Sequence, residues 1–281
     1  MKMFIKNIKS IYKIIHLKQL AALTLGLSCI FNSNANCVKS DLTNTAFCEY
    51  ERFSVWLSCK QNAAVLSMAE IGTDYGNENT TNRNYFLDES ATDLSCQQSS
   101  DKTYASQMKG YDVGHLIPID HFDDNQAQAL QTNTMVNMVP QAKSFNRNGA
   151  WKKTESLTEC YRDEESLTPL TVFAGVIYGN DPSNDFYTQS HGLPETPDHL
   201  WKLIYSPKAN KYDLWIMKNS DDSKVSTLPS SRRSIESLIE LLNGEDEIHY
   251  SPVISELLKV LVKEPAQTEF KNIPQCRGRI G

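Results

Sequence analysis

The sequence predicts a single mixed α/β domain behind an N-terminal segment of different character. Three observations carry this. Short apolar runs with strand character recur at 53–57, 64–69, 170–178, 200–205 and 212–217. Stretches with helical character stand between and after them, at 124–133, 151–165, 234–242 and 251–262. No repeat, low-complexity tract or Pro/Gly/Ser-rich linker divides the chain, so a single domain is favoured. With 40% hydrophobic residues in 281, the chain can bury a real core and is not a disordered one.

Each element has its own local reason. Runs 53–57 and 64–69 are joined near Lys60-Gln61-Asn62, which reads as a turn between two strands. Residues 74–103 are rich in Asn, Ser, Thr and Asp and read as a long loop. The stretch 124–133 (DNQAQALQTN) reads as a helix whose start collects Asp120, Asp123 and Asp124, acids favoured by the helix dipole. Helix 151–165 spaces Trp151, Leu157 and Tyr161 on one side. Run 170–178 (LTVFAGVIY) is the clearest buried strand and stops at Gly179-Asn180-Asp181-Pro182. Strands 200–205 and 212–217 are separated by Lys208-Ala209-Asn210-Lys211, and helix 234–242 is ended by Gly244.

The first 35 residues follow other rules. Five Lys and no acid precede a twelve-residue apolar run, 20–31 (LAALTLGLSCIF), followed by Ser33-Asn34-Ala35. A basic start, a short apolar run and a small-residue cleavage site describe a secretory signal peptide. Twelve residues fall short of the roughly 20 that span a bilayer. A lipoprotein at Cys29 is the weaker reading, because Gly26 stands where such motifs carry Leu. The expectation is a signal peptide at 1–35 and one domain at 36–281, secreted or periplasmic, with no stable membrane association after cleavage. Export deepens the formal charge from −6 to −11, because the removed segment holds five Lys and no acid. That balance argues against a protein that coats nucleic acid by bulk charge. It leaves room for a small metal-centred or arginine-centred site.

Seven cysteines reduce to six once Cys29 is removed: Cys37, Cys48, Cys59, Cys96, Cys160 and Cys276. An even number in an exported chain points to disulfides, with 15 pairings open if all six are bridged. No CxxC or CxxH pair at metal spacing supports a zinc site instead.

The chemistry concentrates between Arg83 and Glu155. In Tyr111-Asp112-Val113-Gly114-His115-Leu116-Ile117-Pro118 a His follows a Gly and precedes an apolar, strand-like run. Residues 131–141 (QTNTMVNMVPQ) then lead into Ser144-Phe145-Asn146-Arg147-Asn148-Gly149-Ala150-Trp151, with Glu155 on the next helix. These are parts for metal-assisted phosphodiester hydrolysis. A neutral His takes a proton from water near neutral pH. A hard cation such as Mg²⁺ takes oxygen ligands and keeps several waters. An arginine pairs with phosphate through its forked donors.

On these residues the sequence resembles the DNA/RNA non-specific endonucleases, the ββα-metal (His-Me finger) nucleases that include endonuclease G. The motifs that carry the resemblance are DVGHLIP, TNTMVNMVPQ and FNRNGAWKKTE. Arg83-Asn84-Tyr85-Phe86-Leu87-Asp88 resembles the family's upstream arginine segment, and 173–178 and 201–205 resemble its downstream core strands. The resemblance covers roughly residues 50–245. It implies an α+β fold with a central, mostly antiparallel sheet flanked by helices. It further implies DNA and RNA as substrates and a hydrated Mg²⁺ as cofactor, with Mn²⁺ as an alternative. By resemblance, His115 is the general base, Asn146 the direct metal ligand and Glu155 the carboxylate that orients water at the metal. Arg83 stabilises the transition state, and Asn137 and Gln141 are supporting polar residues. Asp112 is read as orienting the loop or a ring nitrogen rather than binding metal, and Trp151 as a packing residue. A homodimer and an inhibitor protein are open as partners.

Three departures stand out. Val113 replaces the signature's Arg, and Arg147, Lys152 or Lys153 are the candidates to compensate. The Asn–Trp spacing is five rather than four, which leaves Asn148 as a rival metal ligand; the apolar Phe145 before it favours Asn146. Glu159 stands one turn past Glu155, where basic residues occur in the family. His121, His191, His199 and His249 lack such context and read as structural or exposed. The leading function is an exported, metal-dependent, sugar-non-specific endonuclease leaving 5′-phosphate and 3′-hydroxyl ends. A degenerate nuclease fold that only binds nucleic acid or protein is the alternative from a different class. A phosphodiesterase for small nucleotides shares the chemistry and differs in substrate length.

Overall fold

The computed structural model describes residues 35–40, 44–73, 78, 81, 84–104, 110–244, 267, 268, 270 and 276. The expected signal peptide through residue 34, Arg83, His249 and the helix expected at 251–262 lie outside the described residues.

Among the described residues ten strands form two sheets. β1 (Asn36–Ser40), β2 (Thr45–Glu49), β3 (Phe53–Ser58) and β4 (Ala63–Ile71) run as an antiparallel meander. β7 (Leu170–Ile177), β8 (His199–Ser206) and β9 (Lys211–Lys218) continue it antiparallel, and β10 (Gln267–Thr268) adds parallel to β9. The order of this large sheet is β1-β2-β3-β4-β7-β8-β9-β10. All eight residues of β7 are buried, as its unbroken apolar run requires of a central strand. A two-stranded ribbon pairs β5 (Tyr111–His115) with β6 (Met138–Ala142) and packs on β4.

Among the described residues there are six α-helices: α1 (Glu89–Asp93), α2 (Gln126–Gln131), α3 (Lys143–Arg147), α4 (Ala150–Arg162), α5 (Thr188–His191) and α6 (Ile235–Gly244). Directly after β6 come α3 and α4, so ribbon and helices make a ββα unit. Helix α4 lies against β7. Gly149 joins the two helices, because a Cβ there would sit 2.7 Å from the Phe145 Cα, the Ser144 carbonyl and the Ser223 carbonyl. Only glycine lets α3 and α4 abut this closely, and that contact sets Asn146 relative to Glu155.

The strands expected at 53–57, 64–69, 170–178, 200–205 and 212–217 are present, with ends shifted by one or two residues. Three expectations change. The strand expected after His115 lies before it: His115 closes β5 opposite Met138. Helix α2 begins at Gln126 with Asn125 as its cap, whose side chain accepts the Gln128 N–H, and its first turn holds no acid. Asp123 and Asp124 instead pair with Arg162 and Arg52. The long loop also contains α1, capped by buried Asp88.

The six cysteines pair as Cys37–Cys48, Cys59–Cys96 and Cys160–Cys276. The first joins directly opposed residues of β1 and β2. The third ties the last turn of α4 to the C-terminal region, where Phe270 packs on Tyr161 with ring centroids 4.6 Å apart. Cross-links of this kind stabilise a domain by about 2–4 kcal/mol each.

Candidate active site

The ribbon holds His115 by its backbone. Its carbonyl accepts Gln141 Nε2–H at 3.2 Å and the Trp151 indole N–H at 3.3 Å. Gly114 makes this possible: a Cβ there would stand 2.1 Å from the Gln141 side chain. The chain beyond His115 is fixed by Asn137, which is fully buried. Its Oδ1 accepts the Ile117 N–H and the Ser67 hydroxyl, both at 3.1 Å. Its Nδ2 donates to the carbonyls of Ile117 at 2.8 Å and Thr132 at 3.0 Å. Both residues read from sequence as supporting therefore act on the backbone around His115.

The imidazole itself faces Asn133: His115 Nε2 lies 3.0 Å from Asn133 Oδ1. A carboxamide oxygen only accepts, so this contact suits a ring that carries a proton on Nε2. Asn133 was missed in the sequence. It stands inside the QTNTMVNMVPQ motif, but nothing in one-dimensional spacing shows that it turns towards His115.

Asp112 does not touch the imidazole. It accepts two hydrogen bonds from Arg147, Nε at 2.8 Å and Nη2 at 2.7 Å, and a third from Asn146 Nδ2 at 3.2 Å. The bond between the carboxylate and Asn146 turns the amide nitrogen away and leaves its carbonyl oxygen as the group a cation would use. The two bonds from Arg147 are the forked geometry guanidinium prefers, and they hold its pKa above the ordinary value.

Glu155, on α4, is buried and pairs with Lys152 at 3.1 Å; Lys152 also approaches Asp120 at 3.8 Å. Chiefly through Glu155, the Lys152 ammonium is held above its ordinary pKa. These residues line one open cleft of about 490 Å³, with His115, Asp112, Val113, Asn146, Arg147, Asp120, Lys152 and Glu155 in its wall and Tyr85, Thr103 and Tyr111 at its side.

The sequence departures resolve differently. Val113 is buried in the cleft wall, so that position offers no charge. Of the three candidate substitutes, Arg147 and Lys152 line the cleft. Lys153 does not; it is buried, and burial lowers its pKa. Asn146 lines the cleft whereas Asn148 is exposed on the far side of α3's end, with its N–H on the Ser144 carbonyl. Glu159 turns away from the cleft, bonds His121 Nδ1 through Oε1 and pairs with Arg162 at 2.5 Å. His121 is wholly buried there, and burial holds its pKa well below the usual histidine value. His191 is also buried, its Nε2 on the Lys102 carbonyl at 2.9 Å.

Comparison with known proteins identifies the family and the fold. A family model described as DNA/RNA non-specific endonuclease matches residues 32–252. A solved structure of the EndoG/EndoGI complex, described as giving the mechanism of EndoG inhibition, superposes with a TM-score of 0.54 at 16% identity. That match covers 72% of this chain and 84% of the other. No curated protein matches the sequence. With the family match spanning most of the chain, and the ββα unit in place, the protein belongs to the DNA/RNA non-specific endonuclease family.

Proposed function

We propose that the protein is an exported, metal-dependent endonuclease that hydrolyses phosphodiester bonds of DNA and RNA with little sequence preference. The observation that carries this reading is the convergence of His115, Asn146 and Glu155 on one open cleft. In this account His115 is the general base. With the neutral ring's proton on Nε2, facing Asn133, Nδ1 is the atom that takes the proton from the attacking water. Glu155, pinned by Lys152, orients water beside the phosphate. Arg83 is proposed as the group that stabilises developing negative charge.

The donor set fits a hard cation. One amide oxygen at Asn146, with the Asp112 and Glu155 carboxylates in the same cleft, suits an ion that keeps most of its waters. Mg²⁺ or Mn²⁺, when bound, supplies charge stabilisation for the phosphate and the leaving oxygen. Asn146 would hold it, oriented by its bond to Asp112. Arg147 supplies positive charge in the cleft where Val113 has none, and such phosphate contacts carry no base information.

Export is supported by the three disulfides, which persist in oxidising compartments. Among the described residues no helix is long and apolar enough to cross a membrane. An inhibitor protein is proposed as a partner because the EndoG neighbour is solved with EndoGI; a homodimer is a separate proposal that light scattering tests.

The test is digestion of plasmid DNA and of RNA with Mg²⁺, Mn²⁺ or EDTA. The expected outcome is cleavage of both polymers with either metal and none in EDTA. Val113 favours the second reading, a binding module: a folded protein that retains nucleic acid but cleaves neither polymer with either metal would establish it.

A further inference from the structure

Against Trp151, at the start of α4, lies a cation that the hydrolytic reading does not use. Lys202 stands in the middle of β8, between Ala174 of β7 and Trp215 of β9, and is fully buried. Its Nζ has no hydrogen-bond partner among the described residues. Instead the ammonium sits 3.9 Å from the centroid of the Trp151 ring. Glu155 and Glu159 attract it, Lys152 repels it, and burial pulls its pKa down to about 8.

Such an arrangement is costly. A buried ammonium without a hydrogen-bonded partner loses several kcal/mol of hydration. A desolvated cation–π contact returns only about 2 kcal/mol or somewhat more. A methionine would fill the same space without that loss, so packing does not account for a lysine. Trp151 does account for it. The ring that carries the ammonium also donates its N–H to the His115 carbonyl at 3.3 Å. One buried charge thus bears on the ring that holds the His115 backbone.

We propose that Lys202 is a positioning residue of the hydrolytic site, which fixes Trp151, and through it the backbone of His115. This rests on the hydrolytic reading of the cleft. Displacements of about 1 Å at reacting groups cost up to roughly 10²-fold in rate, so the effect should appear in kcat rather than in substrate binding.

The experiment compares the full mature chain with its Lys202→Met, Lys202→Arg and Trp151→Phe variants. Two readouts are used: steady-state cleavage of plasmid, and solvent exchange of the Trp151 indole N–H in ¹⁵N-labelled protein. Lys202→Met is expected to melt no lower than the parent, to lose roughly 10–100-fold in kcat with KM within about threefold, and to exchange the indole proton at least about tenfold faster. Lys202→Arg should recover part of the kcat. Trp151→Phe keeps the ring and loses the donor, and should lose kcat to a similar degree. A folded Lys202→Met variant with kcat within twofold of the parent and unchanged indole exchange overturns the proposal. If Lys202→Met does not fold, parental kcat in Trp151→Phe overturns it. If the parent cleaves nothing, the hydrolytic reading fails instead, and the indole exchange still reports whether Lys202 fixes Trp151.

Discussion

The two ends of helix α4 both carry charge on the same face, and they use it in opposite ways. In the first turns, beside the cleft, Lys152 pairs with Glu155 and Asp120, with the Lys152 and Asp120 side chains 42% and 47% exposed. In the last turns Glu159, His121 and Arg162 form a network in which the His121 side chain is wholly buried and Arg162 is 5% exposed. Ion pairs in contact with water contribute about 0–1 kcal/mol. A buried network that loses one member costs about 3–5 kcal/mol, because its partners stay desolvated. The cleft end can therefore put its exposed charges to chemistry at little risk to the fold. The buried end uses its charges to hold α4 in place.

That contrast predicts separable phenotypes. Asn146→Ala, in the cleft, should lose roughly 10³-fold in metal-stimulated cleavage, about 4 kcal/mol of transition-state stabilisation. Its melting temperature should stay within a few degrees of the parent's, and plasmid digestion beside a thermal melt checks both. At the buried end of α4, Arg162→Met should destabilise the fold by about 3–5 kcal/mol in denaturant titration. It takes one member from the network that includes Glu159, Asp123 and the His121 carbonyl. Comparable losses of stability in both variants would erase the distinction between the cleft and the buried network.

A smaller effect sharpens it. His121 is kept neutral by burial, with its pKa below the ordinary value near 6.5. The unfolded chain then binds more protons at this site than the folded one once pH falls below about 6.5. Stability should decline in that range by up to about 1.4 kcal/mol per pH unit and be fully present above it. Denaturant titrations from pH 5 to 8 should show this slope in the parent and lose it in His121→Gln.

The same contrast explains what could be read from the sequence. Strands β3, β4, β7, β8 and β9 are legible because their apolar runs answer to burial, a property of each residue and its neighbours. Strands β1 and β2 are not: NCVKS and TAFCE show little apolar alternation, and a disulfide joins them instead. The ribbon is hidden because β5 contains Gly114 and β6 contains Pro140, residues that usually argue against a strand. Their presence there is tied to the site, since Gly114 admits the Gln141 side chain. His115, Asn146 and Glu155 are legible as a set because each stands in a short motif that resembles the family's, and they line one cleft. Asn133 and Lys202 were not, because each acts through a contact between distant segments. The acids near α2 were misread for the same reason: Asp123 meets Arg162 and Asp124 meets Arg52 only in the folded protein.

The central claim, that the cleft is a hydrolytic site built around the His115 imidazole, is tested most directly by one comparison. Mature parent and His115→Ala proteins are incubated with plasmid and Mg²⁺ at neutral pH, after a thermal melt shows both folded. The account predicts that His115→Ala cleaves at least about 10²-fold more slowly, as expected for loss of a general base. A folded His115→Ala protein that digests plasmid at the parental rate would contradict it.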